Sequence, residues 1–147
     1  MSKNVSLTKP RKQINKLDEL PTFNRSLIDY SKYNNLVGHA GVKYSMAVQA
    51  TRGCPYRCFY CDVYKTTRHH FRRSVDSIYE EVKMIADMGV KRIEFIDDIF
   101  NVKAKDFVGF FNRVIKDNLG VSFFFPTALK GDLLTKEVID TMMQGGA

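Results

Sequence analysis

The chain predicts an α/β fold of parallel βα repeats, about three βα units long, and two observations predict it. Short apolar runs at residues 44–50, 90–96 and 121–125 alternate with longer segments whose apolar residues recur at helical spacing. The loops between them are short, the pattern of right-handed βαβ crossovers and a parallel sheet.

Taken in order, residues 1–16 carry Lys3, Lys9, Arg11, Lys12 and Lys16 with little apolar periodicity. A flexible basic tail is expected there, either a solvated terminus or an arm for nucleic acid. Residues 17–43 mix short apolar pieces with Pro, Asn and Gly and read as a connector leading into a core domain at 44–147. In the first run Met46 and Val48 alternate against Ser45 and Ala47, which predicts a strand, and a cysteine-bearing loop follows it directly. Val75, Ile78, Tyr79, Val82, Ile85 and Ala86 then form an amphipathic helical stripe, with Ser74 or Ser77 placed to cap and Gly89 to stop it. A second strand at 90–96 ends in the acidic pair Asp97 and Asp98. The second helix, roughly 101–117, is expected to bury Phe107, Val108, Phe110, Phe111, Val114 and Ile115. A third strand, VSFFF, stops at Pro126; Thr135 caps a third helix through Val138, Ile139, Met142 and Met143, which ends at Gly145 and Gly146.

Composition bounds the function. With 147 residues, 44% of them hydrophobic, 27% charged and a net charge of +7, the chain is a small globular domain rather than a disordered or collagen-like one. No apolar run is long enough to span a bilayer and residues 1–16 lack a signal-peptide centre, so a cytoplasmic protein without a membrane partner is expected. Only three cysteines occur, all within eight residues. An odd number so placed cannot build a disulfide framework and is free for metal.

Cys54, Cys58 and Cys61 are separated by three and then two residues. Three thiolates on a tight loop can hold three irons of a cubane cluster and leave the fourth open for chemistry. The same thiols can instead serve zinc, completed by His69 or His70, or be small buried side chains without a ligand. Thr51, Arg52, Gly53 and Pro55 place the loop at a surface, and it follows the carboxyl end of a strand, where parallel α/β folds build their sites.

The stretch from Ala50 to Cys61, ATRGCPYRCFYC, then Arg73 and Ser74 opening a helix with Glu80 and Glu81, then FIDDIF at 95–100, resembles the radical S-adenosylmethionine (radical SAM) superfamily. Within it the chain is similar to the branch whose members carry an amino-terminal cobalamin-binding domain, and whose connector often contains a stretch like LDELP at 17–21. The resemblance implies a partial TIM-like barrel, of which this chain supplies the amino-terminal part. It implies that Cys54, Cys58 and Cys61 ligate a [4Fe-4S] cluster whose open iron chelates S-adenosylmethionine. Reductive cleavage to a 5'-deoxyadenosyl radical would serve radical methylation or rearrangement of a small-molecule or RNA substrate. It places Tyr60 near the adenine and Asp97 or Asp98 near the methionine amino group, although an acidic pair there can equally cap the next helix. It implies an electron donor such as flavodoxin or ferredoxin. Cobalamin would have to come from another domain or chain, because none of His39, His69 and His70 has Asp two residues before it and Gly three after.

Three units in about 104 residues fall short of the about 250 of an eight-unit barrel. The cofactor pocket is therefore expected to be incomplete, and the Phe-rich third strand to form an apolar edge prone to aggregation unless another chain or segment completes the sheet. The alternatives to a competent enzyme are a split or truncated product that binds a cluster without turnover, and a zinc-binding interaction module. Arg68, His69, His70, Arg72 and Arg73 form a basic cluster, read either as a solvated loop or as a receiver of anionic substrate.

Overall fold

A computed structural model of the chain describes residues 6, 8–9, 11–33, 43–67 and 69–147. Lys3, His39 and Arg68 lie outside the described residues. Among these residues, five strands and four α-helices follow in the order β1 (Ser45–Val48), β2 (Thr51–Arg52), α1 (Val63–Thr66), β3 (Phe71–Arg72), α2 (Val75–Asp87), β4 (Arg92–Phe95), α3 (Ala104–Asp117), β5 (Ser122–Phe124) and α4 (Lys136–Gln144). β1, β4 and β5 form a parallel sheet in that order, with Met46 beside Ile93 beside Phe123. The predicted strands are present and shorter at both ends. β2 and β3 pair antiparallel as a separate ribbon that the sequence pattern did not reveal.

The capping chemistry is local and matches the expectation. Ser74 Oγ accepts from Ser77 N at 3.1 Å and Thr135 Oγ1 from Val138 N at 3.3 Å, satisfying amides that no helical carbonyl reaches. Asn118 closes α3 in the left-handed conformation, at φ 46°. Period-two alternation puts Met46, Val48, Ile93, Phe95 and Phe123 on the face that receives Ile78, Val82 and Ile85 of α2 and Phe107, Phe110 and Phe111 of α3. Phe95 lies at the centre, stacked on Phe100 at 4.6 Å and on Phe125 at 5.2 Å.

The expected burial of Ile115 is corrected. Ile115 is 36% exposed, and Ile139 and Met143 stand 41% and 64% exposed. In α4, Val138 is buried and Met142 packs against the core. The Phe-rich strand β5 is the outermost of the sheet, with Phe123 buried, Phe125 packed on Phe95 and Phe123 N donating to Gly146 O at 2.8 Å.

Residues 17–33 run through three short 3₁₀ turns and are fastened to the core by charge. Both Asp18 carboxylate oxygens accept from Ser74 N, at 2.9 and 3.1 Å, adding an anion at the start of α2. Glu81, 3% exposed, is held by Arg25 at 2.6 Å and by Arg73. Val48 O accepts from Ile96 N on the β4 side, so the Ala47 and Gln49 carbonyls face the free edge of β1. There they accept from Arg25 Nη2 at 2.9 Å and Arg73 Nη1 at 3.2 Å. The two guanidiniums thus seal the sheet edge, and Glu81 pairs with both. Glu81→Ala leaves two buried cations unpaired and is expected to cost about 3–5 kcal/mol, read as a lowered urea midpoint; a shift under about 1 kcal/mol would contradict the arrangement.

Candidate functional site

Residues 53–70 leave the carboxyl end of the sheet after β2 and return through β3, so the β2–β3 ribbon is the neck of the loop that carries all three cysteines. Gly53 sits at the mouth with φ +81°, and a Cβ there would lie 2.1 Å from His69 O and 3.0 Å from Thr67 O. Only glycine lets the outgoing and returning chains pass so closely. The connection after β4 grips both sides of this neck. Gly53 N donates to Asp98 Oδ2 at 3.1 Å on the outgoing side. On the returning side, His70 Nε2 lies 3.3 Å from Ile99 O and Arg72 Nη1 donates to Phe100 O at 2.7 Å.

Cys54, Cys58 and Cys61 are free thiols, each half-buried. Cys61 N donates to Cys58 O at 3.0 Å, a tight turn across the second and third cysteines. Cys54 lines a cavity of about 440 Å³ with Pro55, Arg57, Tyr64 and Lys65, the last two contributed by α1. Among the described residues, no three His, Cys, Asp or Glu side chains converge on one metal-ion position. His70 is turned toward Ile99 O, and burial pushes its pKa below the ordinary value.

Tyr60 is 78% exposed beside the fully exposed Phe59, the rings packed edge to face at 5.1 Å. A hydrogen bond with Cys58 holds its phenol above the ordinary pKa. The acidic pair divides. Asp98 is exposed apart from its bond to Gly53, whereas Asp97 is 0% exposed. Asp97 Oδ1 accepts from Ala50 N at 3.0 Å and from Thr51 N, with Thr51 Oγ1 2.6 Å away. Burial outweighs these bonds and pushes the Asp97 carboxyl up to about 6. A raised carboxyl pKa stabilises the fold when protonated, and that contribution is lost as pH climbs from about 4 through about 6. The apo-protein's Tm is therefore expected to fall across this window relative to that of Asp97→Asn, whose neutral amide does not titrate; parallel curves would contradict it.

Within the basic cluster, Arg72 and Arg73 are turned inward as structural cations, whereas His69 is exposed. Arg72 is buried, ion-paired to Asp106 at 3.3 Å and 4.7 Å above the Phe100 ring. Arg73 is spent on Glu81, Ser77 and Gln49. Sequence reasoning missed the neck itself, whose one local signal is the glycine before the first cysteine.

Residues 48–146 match the Radical SAM superfamily. An uncharacterized methyltransferase of Pyrococcus horikoshii is 28% identical over 93% of this chain and 29% of its own length. A tRNA-2-methylthio-N(6)-dimethylallyladenosine synthase of Aquifex aeolicus is 32% identical over 62% of the chain and 19% of its own. The chain thus spans less than a third of the length of these relatives. Among solved structures, the radical S-adenosylmethionine methyltransferase TsrM of Kitasatospora setae, with tryptophan substrate and a SAM analog bound, superimposes with a TM-score of 0.62. That likeness covers 69% of this chain and 20% of TsrM at 17% identity, and it shows the fold: three βα units of a partial TIM-like barrel. No helix among the described residues is long and apolar enough to cross a membrane. With the match running from the end of β1 through α4, this chain belongs to the radical SAM superfamily.

Proposed function

We propose that the loop holds a [4Fe-4S] cluster through Cys54, Cys58 and Cys61 and serves reductive cleavage of S-adenosylmethionine, once further strands complete the cofactor pocket. The observation that carries this reading is the arrangement of the thiols. A zinc ion needs its ligands gathered about 2.3 Å from a single point, whereas a cubane takes each thiolate on a separate iron. Three free, half-buried thiols on one tight loop can each take a separate iron of a cubane. When bound, the group would supply the electron that breaks the sulfonium carbon–sulfur bond and so begins radical chemistry on a substrate.

The chain's own residues would do the rest. Arg57 and Lys65, lining the cavity beside Cys54, would offset the negative charge that three thiolates bring. Asp98, at the mouth and exposed, would accept from the cofactor's ammonium group, and the exposed Tyr60 would offer an aromatic face to adenine. The methyltransferase relative supports radical methylation as the outcome. A small acidic electron-transfer protein, flavodoxin or ferredoxin in kind, would reduce the site, and any cobalamin would come from another domain or chain. Tyr60→Ala is expected to leave iron content intact and weaken S-adenosylmethionine binding roughly tenfold, measured by titration of the reconstituted protein; unchanged affinity would remove Tyr60 from the site.

The test is anaerobic reconstitution followed by iron and sulfide analysis and electron paramagnetic resonance of the dithionite-reduced chain, with and without S-adenosylmethionine. About four irons per chain and a signal that shifts on adding the cofactor are expected. A cluster that ignores the cofactor reduces the reading to a cluster-binding segment. Zinc or no metal overturns it.

A further inference from the structure

We propose that Asp97 is a positioning residue that sets the mouth of the cysteine loop through the backbone of residues 50–53, rather than a contact of the cofactor. The inference rests on the reading that the cysteines of this loop hold a cluster. Asp97 has no exposed surface, so a ligand at the open mouth does not meet it unless the neck comes apart. Its Oδ1 instead gathers Ala50 N, Thr51 N and the Thr51 hydroxyl, fixing the chain three residues before Cys54. Thr51 Oγ1 also lies 2.9 Å from Ile99 O, so its one hydroxyl proton is shared between two acceptors of the connection after β4. Bonds from backbone amides to a carboxylate are charge-assisted, and an amide oxygen at the same position would still accept them, more weakly.

The second oxygen, Oδ2, is buried without a hydrogen-bond partner among the described residues, and so is Nη2 of Arg72 in the return strand β3. The two groups feel each other's charge. Arg72 is itself held by Phe100 O and Asp106 and cannot swing away cheaply. Asp97 thus acts on the thiols only through Ala50, Thr51 and Gly53, and outer partners that orient metal ligands typically govern about 10–100-fold in metal affinity.

Asp97→Ala, Asp97→Asn and, as a core truncation remote from the neck, Val114→Ala separate this role from general stability; they are compared at pH 8, where the carboxylate is ionised. In apo-protein, Asp97→Ala is expected to speed hydrogen exchange at the Ala50, Thr51 and Gly53 amides at least about tenfold, beyond any change in α3. Asp97→Asn keeps the accepting oxygen and should stay within about threefold of wild type. In reconstituted protein, a chelator should strip iron from Asp97→Ala about 10–100-fold faster than from wild type, with Asp97→Asn and Val114→Ala close to wild type. Wild-type amide protection in Asp97→Ala, or equally fast iron loss from Val114→Ala, overturns the proposal. If wild-type protein takes up no cluster, the cluster reading fails by itself, and exchange at the three amides still decides the role of Asp97.

Discussion

Replacing Cys58 with alanine is expected to bring reconstituted iron and sulfide to background and remove the brown absorbance near 400 nm. A cubane left with two protein thiolates has two open irons and is labile, so loss should be nearly complete rather than proportional. The fold should survive, because Cys58 lies half-buried on the loop, away from the aromatic core around Phe95. Circular dichroism is expected to be unchanged and the unfolding free energy to move by no more than about 0.5 kcal/mol. Iron and sulfide at wild-type stoichiometry would remove Cys58 from the ligand set.

The Gly53→Ala substitution should produce the largest effect of any change that leaves every thiol in place. Holding alanine at φ +81° costs about 1–3 kcal/mol by itself. Its Cβ would also meet His69 O at 2.1 Å, a backbone atom that cannot step aside without parting β2 from β3. The loop should open at its mouth, and iron uptake should fall well below half of wild type. Gly89→Ala is the matched control: φ is +85°, yet nothing lies within 4 Å of the added carbon. It should cost about 1 kcal/mol and leave iron uptake untouched. Equal iron uptake by the two variants would show that the neck does not govern the site.

The helices and the parallel sheet could be read in the sequence because their signals are local. Ser74, Thr135 and Asn118 cap or stop helices through neighbours within a few positions, and the Phe and Val periodicities sit inside single elements. The neck could not be read, since two-residue strands carry no periodicity and the contact that fixes them joins Gly53 to His69 across the whole loop. The basic run at 68–73 misled for a related reason. The partners that take up Arg72 and Arg73, Asp106, Phe100 O and Glu81, lie on α2, on α3 and in the connection after β4. In the site, cysteine spacing pointed to metal, but nothing in the string Asp97-Asp98 separates the two acids. Neighbouring residues at a strand end turn to opposite sides, and only the fold decides which one is buried.

The sealed edge of β1 carries a consequence for synthesis on the ribosome. Arg25 and its partner Glu81 are 56 positions apart, as are Asp18 and Ser74. At about 5–20 residues per second, Glu81 emerges on the order of 3–10 s after Arg25. Throughout that interval Arg25 has no buried carboxylate to neutralise it and β1 has no finished neighbour. Chaperone demand in this protein should therefore concentrate early in translation, before α2 is complete, and ease once Glu81 locks the guard in place.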